Sequence, residues 1–471
     1  MGSVDRASLA LFGSRILSQL LGFVSVIYFA QQIGAEGLGV YFTFVTVVSV
    51  TGVFSKFGLP GAVVKRMNQA TNAHDRGKYL SGSFVLLTVP FVITGGLLLL
   101  FGPHLTDYVG LAAAAPLAVA GVAMAVSSNL LSSALRGENR VATTAVLELL
   151  DQVSRLTISV GLLLAGWGVL ALVLGRILGN VIKGIASYVV LETSFSIPTL
   201  ETLTSLFDFS KYTVGMNVSS LAYNWADTLV LAAFATKAAV GIYETVWMVS
   251  AVTLLAAQVI GISLAPSMTR WHEAGQLYRV ERGFTQGLSF ALILVFPALI
   301  GAYLIGDSLL QTLYGYSAGT TILLILLTGQ ISEGVKNITQ NTLFGIDQPE
   351  HVFWTNILTL GANVVLNLIL VPPFGMLGAA AATFTTATVA AVSQVYYLRQ
   401  YIELRVDHTT LVWQAGGAIV MGVVVAALTG VFPLGTELGL FALVGIGGLV
   451  YGGVILTNDT MRERLLGAGP F

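Results

Sequence analysis

The chain has no cysteine among its 471 residues, and only 10% of them are charged. The first absence removes disulfides, thiol nucleophiles and thiolate metal sites, and leaves the redox compartment unreadable. The second sets the chain apart from soluble globular domains, which carry about 25% charge. A surface this poor in charge is not built for water. The net charge of −1 provides no field to steer the chain to nucleic acid. No phosphate-binding loop of the Gly-x4-Gly-Lys-Ser/Thr form occurs, so ATP hydrolysis is not intrinsic. The five histidines (positions 74, 104, 272, 351 and 408) stand isolated in loops, so neither a metal site nor a cofactor is expected. What is abundant is apolar: 55% of residues are hydrophobic, and mean hydropathy is +0.84.

A spanning helix needs about 20 apolar residues. Fourteen such segments run near 9–33, 37–58, 80–102, 111–133, 142–165, 168–190, 212–234, 239–264, 284–306, 319–344, 353–371, 377–398, 410–432 and 437–457. The pattern predicts an all-α polytopic membrane protein with about 14 transmembrane helices. Arg6 is the only basic residue before the first run, which continues to Phe29 and is too long for a cleavable signal. With both termini cytoplasmic, 15 of the 22 Lys+Arg fall in cytoplasmic segments and only Lys237 falls outside. The external loops leave no room for a folded domain, so function must reside among the helices.

The segment Ile33-Gly34-Ala35-Glu36-Gly37-Leu38-Gly39-Val40-Tyr41 aligns with 235–243 at an offset of 202, placing Gly39 on Gly241 and Tyr41 on Tyr243. Leu135-Arg136-Gly137 aligns with Leu343-Phe344-Gly345 at an offset of 208. Two matches in order imply parallel six-helix repeats, an arrangement transporters use. The expected organisation is an N-terminal lobe over 1–205, a C-terminal lobe over 206–400, and two appended helices with a tail over 401–471.

A charged side chain at mid-bilayer costs roughly 2.5–3.5 kcal/mol on insertion scales. The first span carries Arg15, Ser18, Gln19, Gly22 and Ser25 on one helical face. The seventh carries Thr213, Asn217, Ser220, Asn224 and Asp227 in steps of four and three. These stripes either line a central cavity or serve as helix–helix glue. Lys56, at the end of the second span, either snorkels to the interface or joins Arg15 at the cavity mouth. In the fifth span Asp151 and Arg155 stand at i,i+4 and can pair. With Glu148 and Arg176 they form either a neutralised network or one that leaves an arginine free for an anion. Glu333 and Lys336, at i,i+3 in the tenth span, are expected to neutralise one another, with a titrating Glu333 as the alternative.

Gly315-Tyr316-Ser317-Ala318-Gly319 matches a nucleophile-elbow pattern, but it stands in an external turn with no sheet. The Asn-x-Ser/Thr sequences at Asn217 and Asn337 lie inside spans, and the one at Asn458 is cytoplasmic. All three are expected to be idle.

The first span with its Arg15, the turn Ala30-Gln31-Gln32-Ile33-Gly34-Ala35-Glu36-Gly37-Leu38-Gly39-Val40-Tyr41 and Phe57-Gly58-Leu59-Pro60-Gly61-Ala62-Val63-Val64-Lys65-Arg66 resemble the polysaccharide-transporter family. That family comprises O-antigen-flippase-like proteins of the multidrug/oligosaccharidyl-lipid/polysaccharide exporter superfamily. The resemblance implies two six-helix lobes in a V and alternating-access flipping of a polyprenyl- or dolichyl-phosphate-linked glycan among the membrane lipids. Arg15, Lys56 and Arg176 would then hold the phosphate, with Asn217 and Asn224 along the sugar. Asp227, with Glu333 and Asp151, would couple transport to H+ or Na+. A cation-coupled multidrug exporter is the alternative. A membrane-embedded glycan enzyme or a scaffold fits less well, because the loops are short and the buried charges would have no use.

Overall fold

Hydrocarbon offers no water to a backbone N–H or C=O, and a helix satisfies these groups within its own segment. The computed structural model describes the backbone of residues 3–458 and 461–462, and the side chains of 17–211, 225–458 and 461–462. Among the described residues there is helix and no strand. The chain is an all-α polytopic membrane protein.

Two units divide it, Met1–Gly241 and Ile242–Phe471. The first holds α1 (Ser3–Lys56), α2 (Leu59–Gln69), α3 (Ala73–Leu100), α4 (Gly102–Val109), α5 (Ala114–Gly137), α6 (Val141–Leu164), α7 (Val169–Val190) and α8 (Leu200–Phe234). α9 (Lys237–Ala251) begins there and runs into the second. The second continues with α10 (Leu255–Glu273), α11 (Leu277–Ala291), α12 (Val295–Tyr314), α13 (Thr320–Gly345) and α14 (Pro349–Phe374). It ends with α15 (Met376–Leu398), α16 (His408–Leu428) and α17 (Glu437–Leu456).

α1 is two helices joined at Gly34, whose φ of 67° and ψ of −177° suit glycine. The break falls where the sequence separates the first two apolar segments. Within the first unit, the start of the second of these helices lies hard against the start of α9. A Cβ on Gly39 would overlap the Lys237 carbonyl, and a Cβ on Gly241 would overlap the Ala35 carbonyl. The contact is reciprocal between the residues that the 202-residue offset equates.

Ten helical stretches among the described residues are long and apolar enough to cross a bilayer. α6, α8 and α13 are not among them. These three carry Glu148, Asp151 and Arg155; Asp208, Lys211 and Asp227; and Glu333 and Lys336. In α6 and α13 these polar residues lower the hydropathy of helices that are otherwise long enough, whereas in α8 the apolar stretch among the described residues is Trp225–Phe234. α6 packs against α1, α5 and α7, and α13 against α10, α11, α12 and α15.

Residues 292–294 interrupt the ladder between α11 and α12. Ile293 donates to the Phe290 carbonyl at 3.2 Å and Val295 to that of Leu292 at 3.0 Å, both three residues back. The Ser289 carbonyl thereby loses its partner four residues on, and Gln414 of α16 donates to it at 2.8 Å. Pro297 has no N–H for the Ile293 carbonyl, and the Tyr451 hydroxyl of α17 donates there at 2.7 Å. The last two helices thus satisfy the groups that the broken helix leaves open. Tyr451→Phe and Gln414→Leu should each cost about 1–3 kcal/mol, read as a lower midpoint of unfolding in detergent. Unchanged midpoints would mean that these carbonyls find other partners.

Candidate functional site

On α7, Arg176, Asn180 and Lys183 follow in steps of four and three and share one face. Lys56, the last residue of α1, lies close enough to Lys183 and Arg176 for both charges to act on its ammonium. All three cations are half-buried. None of them, nor Arg155, takes part in an ion pair among the described residues. Asn180 anchors the face: it accepts from the Ser128 hydroxyl at 3.1 Å and donates to the Arg176 carbonyl at 2.9 Å.

The sequence brings α6 against α7 through two glycines one turn apart. A Cβ on Gly175 would overlap the Ser159 hydroxyl, and one on Gly179 would come within 3.0 Å of Asp151 Oδ1. Small residues let helices approach this closely, and the approach places Asp151 and Arg155 beside α7. Gln152 is buried, and its Nε2 lies 3.4 Å from where a Cβ on Gly22 would stand. Gly22 of the α1 stripe therefore meets α6.

The Asp151–Arg155 pair read from the i,i+4 spacing does not form. Arg155 donates instead to Gln152 Oε1, three residues back. Asp151 Oδ1 is buried without a hydrogen bond, directed at the Gly179 face. Glu148 is exposed, and the cation it acts on is Arg136. The acids of α6 leave Lys56, Arg176 and Lys183 without a carboxylate partner.

Glu333 and Lys336 do pair, at 2.7 Å, with side chains only 17% and 12% exposed. They belong to the second unit, as does the bond from Gln330 to the Ser250 hydroxyl at 3.1 Å. Asp227 is half-buried on α8. The side chains of Arg15, Asn217 and Asn224 lie outside the described residues.

Of the residues singled out in the sequence, Lys56 and Arg176 come together. Lys183 joins them and was missed, although its position seven residues after Arg176 on one helical face was a usable signal. A second omission is the buried pair Asn363 and Asn367 of α14. Asn363 donates to the Thr386 hydroxyl of α15 at 3.2 Å, and Asn367 to the Asn363 carbonyl at 3.0 Å. Their four-residue spacing within an apolar helix marks a polar seam. No group of three or more His, Asp or Glu among the described residues could hold a metal ion.

Three cations inside an apolar helix bundle repel one another, and an anion or water relieves them. The planar arginine fork matches the oxygens of a phosphate, and lysine adds a point charge. The family model described as "Polysaccharide biosynthesis protein" matches residues 6–272, more than half of the chain. The chain belongs to this family. It is 27% identical over 460 residues to the "Probable low-salt glycan biosynthesis flippase Agl15" of Haloferax volcanii, covering 97% of each chain. It is 29% identical over 475 residues to the "Probable flippase AglR" of the same organism, covering 99% of this chain and 98% of that one. Among solved structures, a "Lipid II flippase MurJ, inward closed conformation" shares the fold with a TM-score of 0.78 at 15% identity, covering 97% and 99% of the two chains.

Removing one member of the Glu333–Lys336 pair leaves a buried charge unpaired. Lys336→Met alone should therefore destabilise by on the order of 3 kcal/mol, and Glu333→Gln with Lys336→Met should recover most of that loss. Thermal unfolding of the two variants in detergent checks this, and equal losses would show that the pair is not coupled.

Proposed function

We propose that the chain is a flippase that carries a polyprenyl- or dolichyl-phosphate-linked sugar or oligosaccharide across the cytoplasmic membrane by alternating access, for envelope polysaccharide or glycoprotein assembly. The observation that carries this reading is the Lys56–Arg176–Lys183 cluster, which has no carboxylate partner among the described residues. The names of the two Haloferax relatives support it. The chain does no covalent chemistry in this account.

Fourteen helices cross the membrane in the proposed topology. The ten apolar stretches become eleven when α1 is divided at Gly34, and α6, α8 and α13 complete them. Both termini face the cytoplasm, following the basic residues. Residues 1–205 and 206–400 form the moving lobes, and 401–471 braces the second. The reciprocal packing of Gly39 and Gly241 supports the repeat.

Lys56 and Arg176 hold the phosphate, with Lys183 beside them. Arg15 adds a further cation on the stripe that Gly22 brings to Gln152. Asn217 and Asn224 line the path of the sugar. Coupling to H+ or Na+ falls to Asp227 and to Asp151, whose buried Oδ1 has no hydrogen-bond partner. Glu333 enters only if its bond to Lys336 opens. A drug exporter for cationic substrates would need an acidic pocket, and the uncompensated charge here is positive.

The test is leaflet translocation of a labelled polyprenyl-phosphate sugar in proteoliposomes, with and without a proton or sodium gradient. A charge-assisted hydrogen bond contributes about 1.5–3 kcal/mol, so Arg176→Ala and Lys56→Ala should each slow translocation about 10–100-fold. Arg15→Ala should abolish it without preventing insertion. Normal rates in well-expressed variants would sink the assigned roles. Movement that ignores the gradient would discard coupling through Asp227 and keep the flippase.

A further inference from the structure

A cleft of about 900 Å³ opens in the first unit between the second half of α1, α3 and α4. Its walls include Val50 and Phe54 of α1, Ile93 and Leu97 of α3, and Phe101 and Leu105 around the start of α4. Phe54, Ile93, Leu97 and Phe101 are exposed, so the cleft is open on the side where hydrocarbon would lie.

The hydroxyls that reach it are largely engaged. Thr94 donates to the Pro90 carbonyl at 2.8 Å and shares a 2.6 Å bond with Ser55. The Tyr108 hydroxyl donates to the Leu229 carbonyl at 2.8 Å, and burial pushes its pKa up to about 12. Apart from these, only Thr51 and His104 add polar side-chain atoms to the wall. A hydrocarbon chain suits such a surface, because it is mostly apolar and its Thr94 and Tyr108 hydroxyls are already hydrogen-bonded.

One end of the cleft is different. Lys237 reaches over the Tyr108 ring, 5.2 Å from its centroid. Its ammonium donates to the Tyr108 carbonyl and, at 3.4 Å, to that of Ala232. It is half-buried, and no ion pair among the described residues includes it. It is also the one Lys or Arg in the segments that the sequence assigns to the outside. A half-desolvated cation held by two carbonyls and an aromatic face, with no carboxylate partner among the described residues, calls at the end of an apolar cleft for an amphiphile with an anionic head.

We propose that this cleft binds a phospholipid of the surrounding bilayer, with a hydrocarbon chain between α1, α3 and α4 and the headgroup phosphate on Lys237. The site is separate from the Lys56–Arg176–Lys183 cluster and does not rest on the transport reading.

The full chain would be reconstituted in liposomes carrying phosphatidylglycerol with a photoreactive diazirine in one chain. Parallel liposomes would carry the diacylglycerol with the same chain and no phosphate. Labelled residues would be mapped by mass spectrometry. Phosphatidylglycerol should label 50–54 and 90–108 about tenfold more than diacylglycerol, as a charge-assisted contact predicts. Lys237→Ala should bring the two probes level, Lys237→Arg should keep the difference, and Leu97→Trp should fill the cleft and lose labelling by both. The comparison of probes on the unaltered chain stands even if Lys237→Ala fails to fold. Equal labelling by the two probes overturns the proposal, as does labelling spread evenly over the lipid-facing helices. Labelling by a polyprenyl phosphate with the same diazirine, but not by phosphatidylglycerol, also overturns it and assigns the cleft to the transported lipid.

Discussion

A polar group inside a bilayer has to find its partner within the protein, because hydrocarbon supplies none. Most of what distinguishes this chain from a plain bundle follows from that constraint. Among the described residues it makes each long apolar segment helical. It also explains why a helix can break between α11 and α12, where Gln414 and Tyr451 bond the freed carbonyls of Ser289 and Ile293. The two C-terminal helices are then more than an appendage, since they keep an interrupted helix tolerable in lipid.

The same constraint gives meaning to the charges. Where Glu333 and Lys336 share one face of α13, they neutralise each other within the element. Where Lys56, Arg176 and Lys183 converge, no such cancellation occurs among the described residues. The first arrangement needs nothing from outside. The second has a site's character, since an anion would remove the repulsion that the fold leaves. Close packing at Gly175 and Gly179 is part of the same construction, because it lays α6 along the helix that bears two of the cations.

Much of this was legible in the sequence. Segment existence, the boundary at Gly34 and the pairing of Glu333 with Lys336 depend on local spacing and local backbone chemistry. The Asp151–Arg155 pair shows the limit of spacing. An i,i+4 separation permits a contact, but Gln152 sits within reach of the same guanidinium, and Asp151 is directed at a neighbouring helix instead. Which partner prevails depends on what packs against the helix, and spacing within one helix carries no such information.

The sequence by itself determined the all-helical membrane class, the apolar segments and the residues whose charge has to be explained inside them. Those properties are set by composition and by the period of a helix, both local. Only the tertiary structure decided that Lys183 joins Lys56 and Arg176, that Glu148 goes with Arg136, and that Lys237 stands at the end of an apolar cleft beside Tyr108. Each of these pairs residues far apart in the chain or selects one of several equally spaced partners. Helix packing sets them, and it follows from side-chain volumes summed over many contacts rather than from any single residue's chemistry.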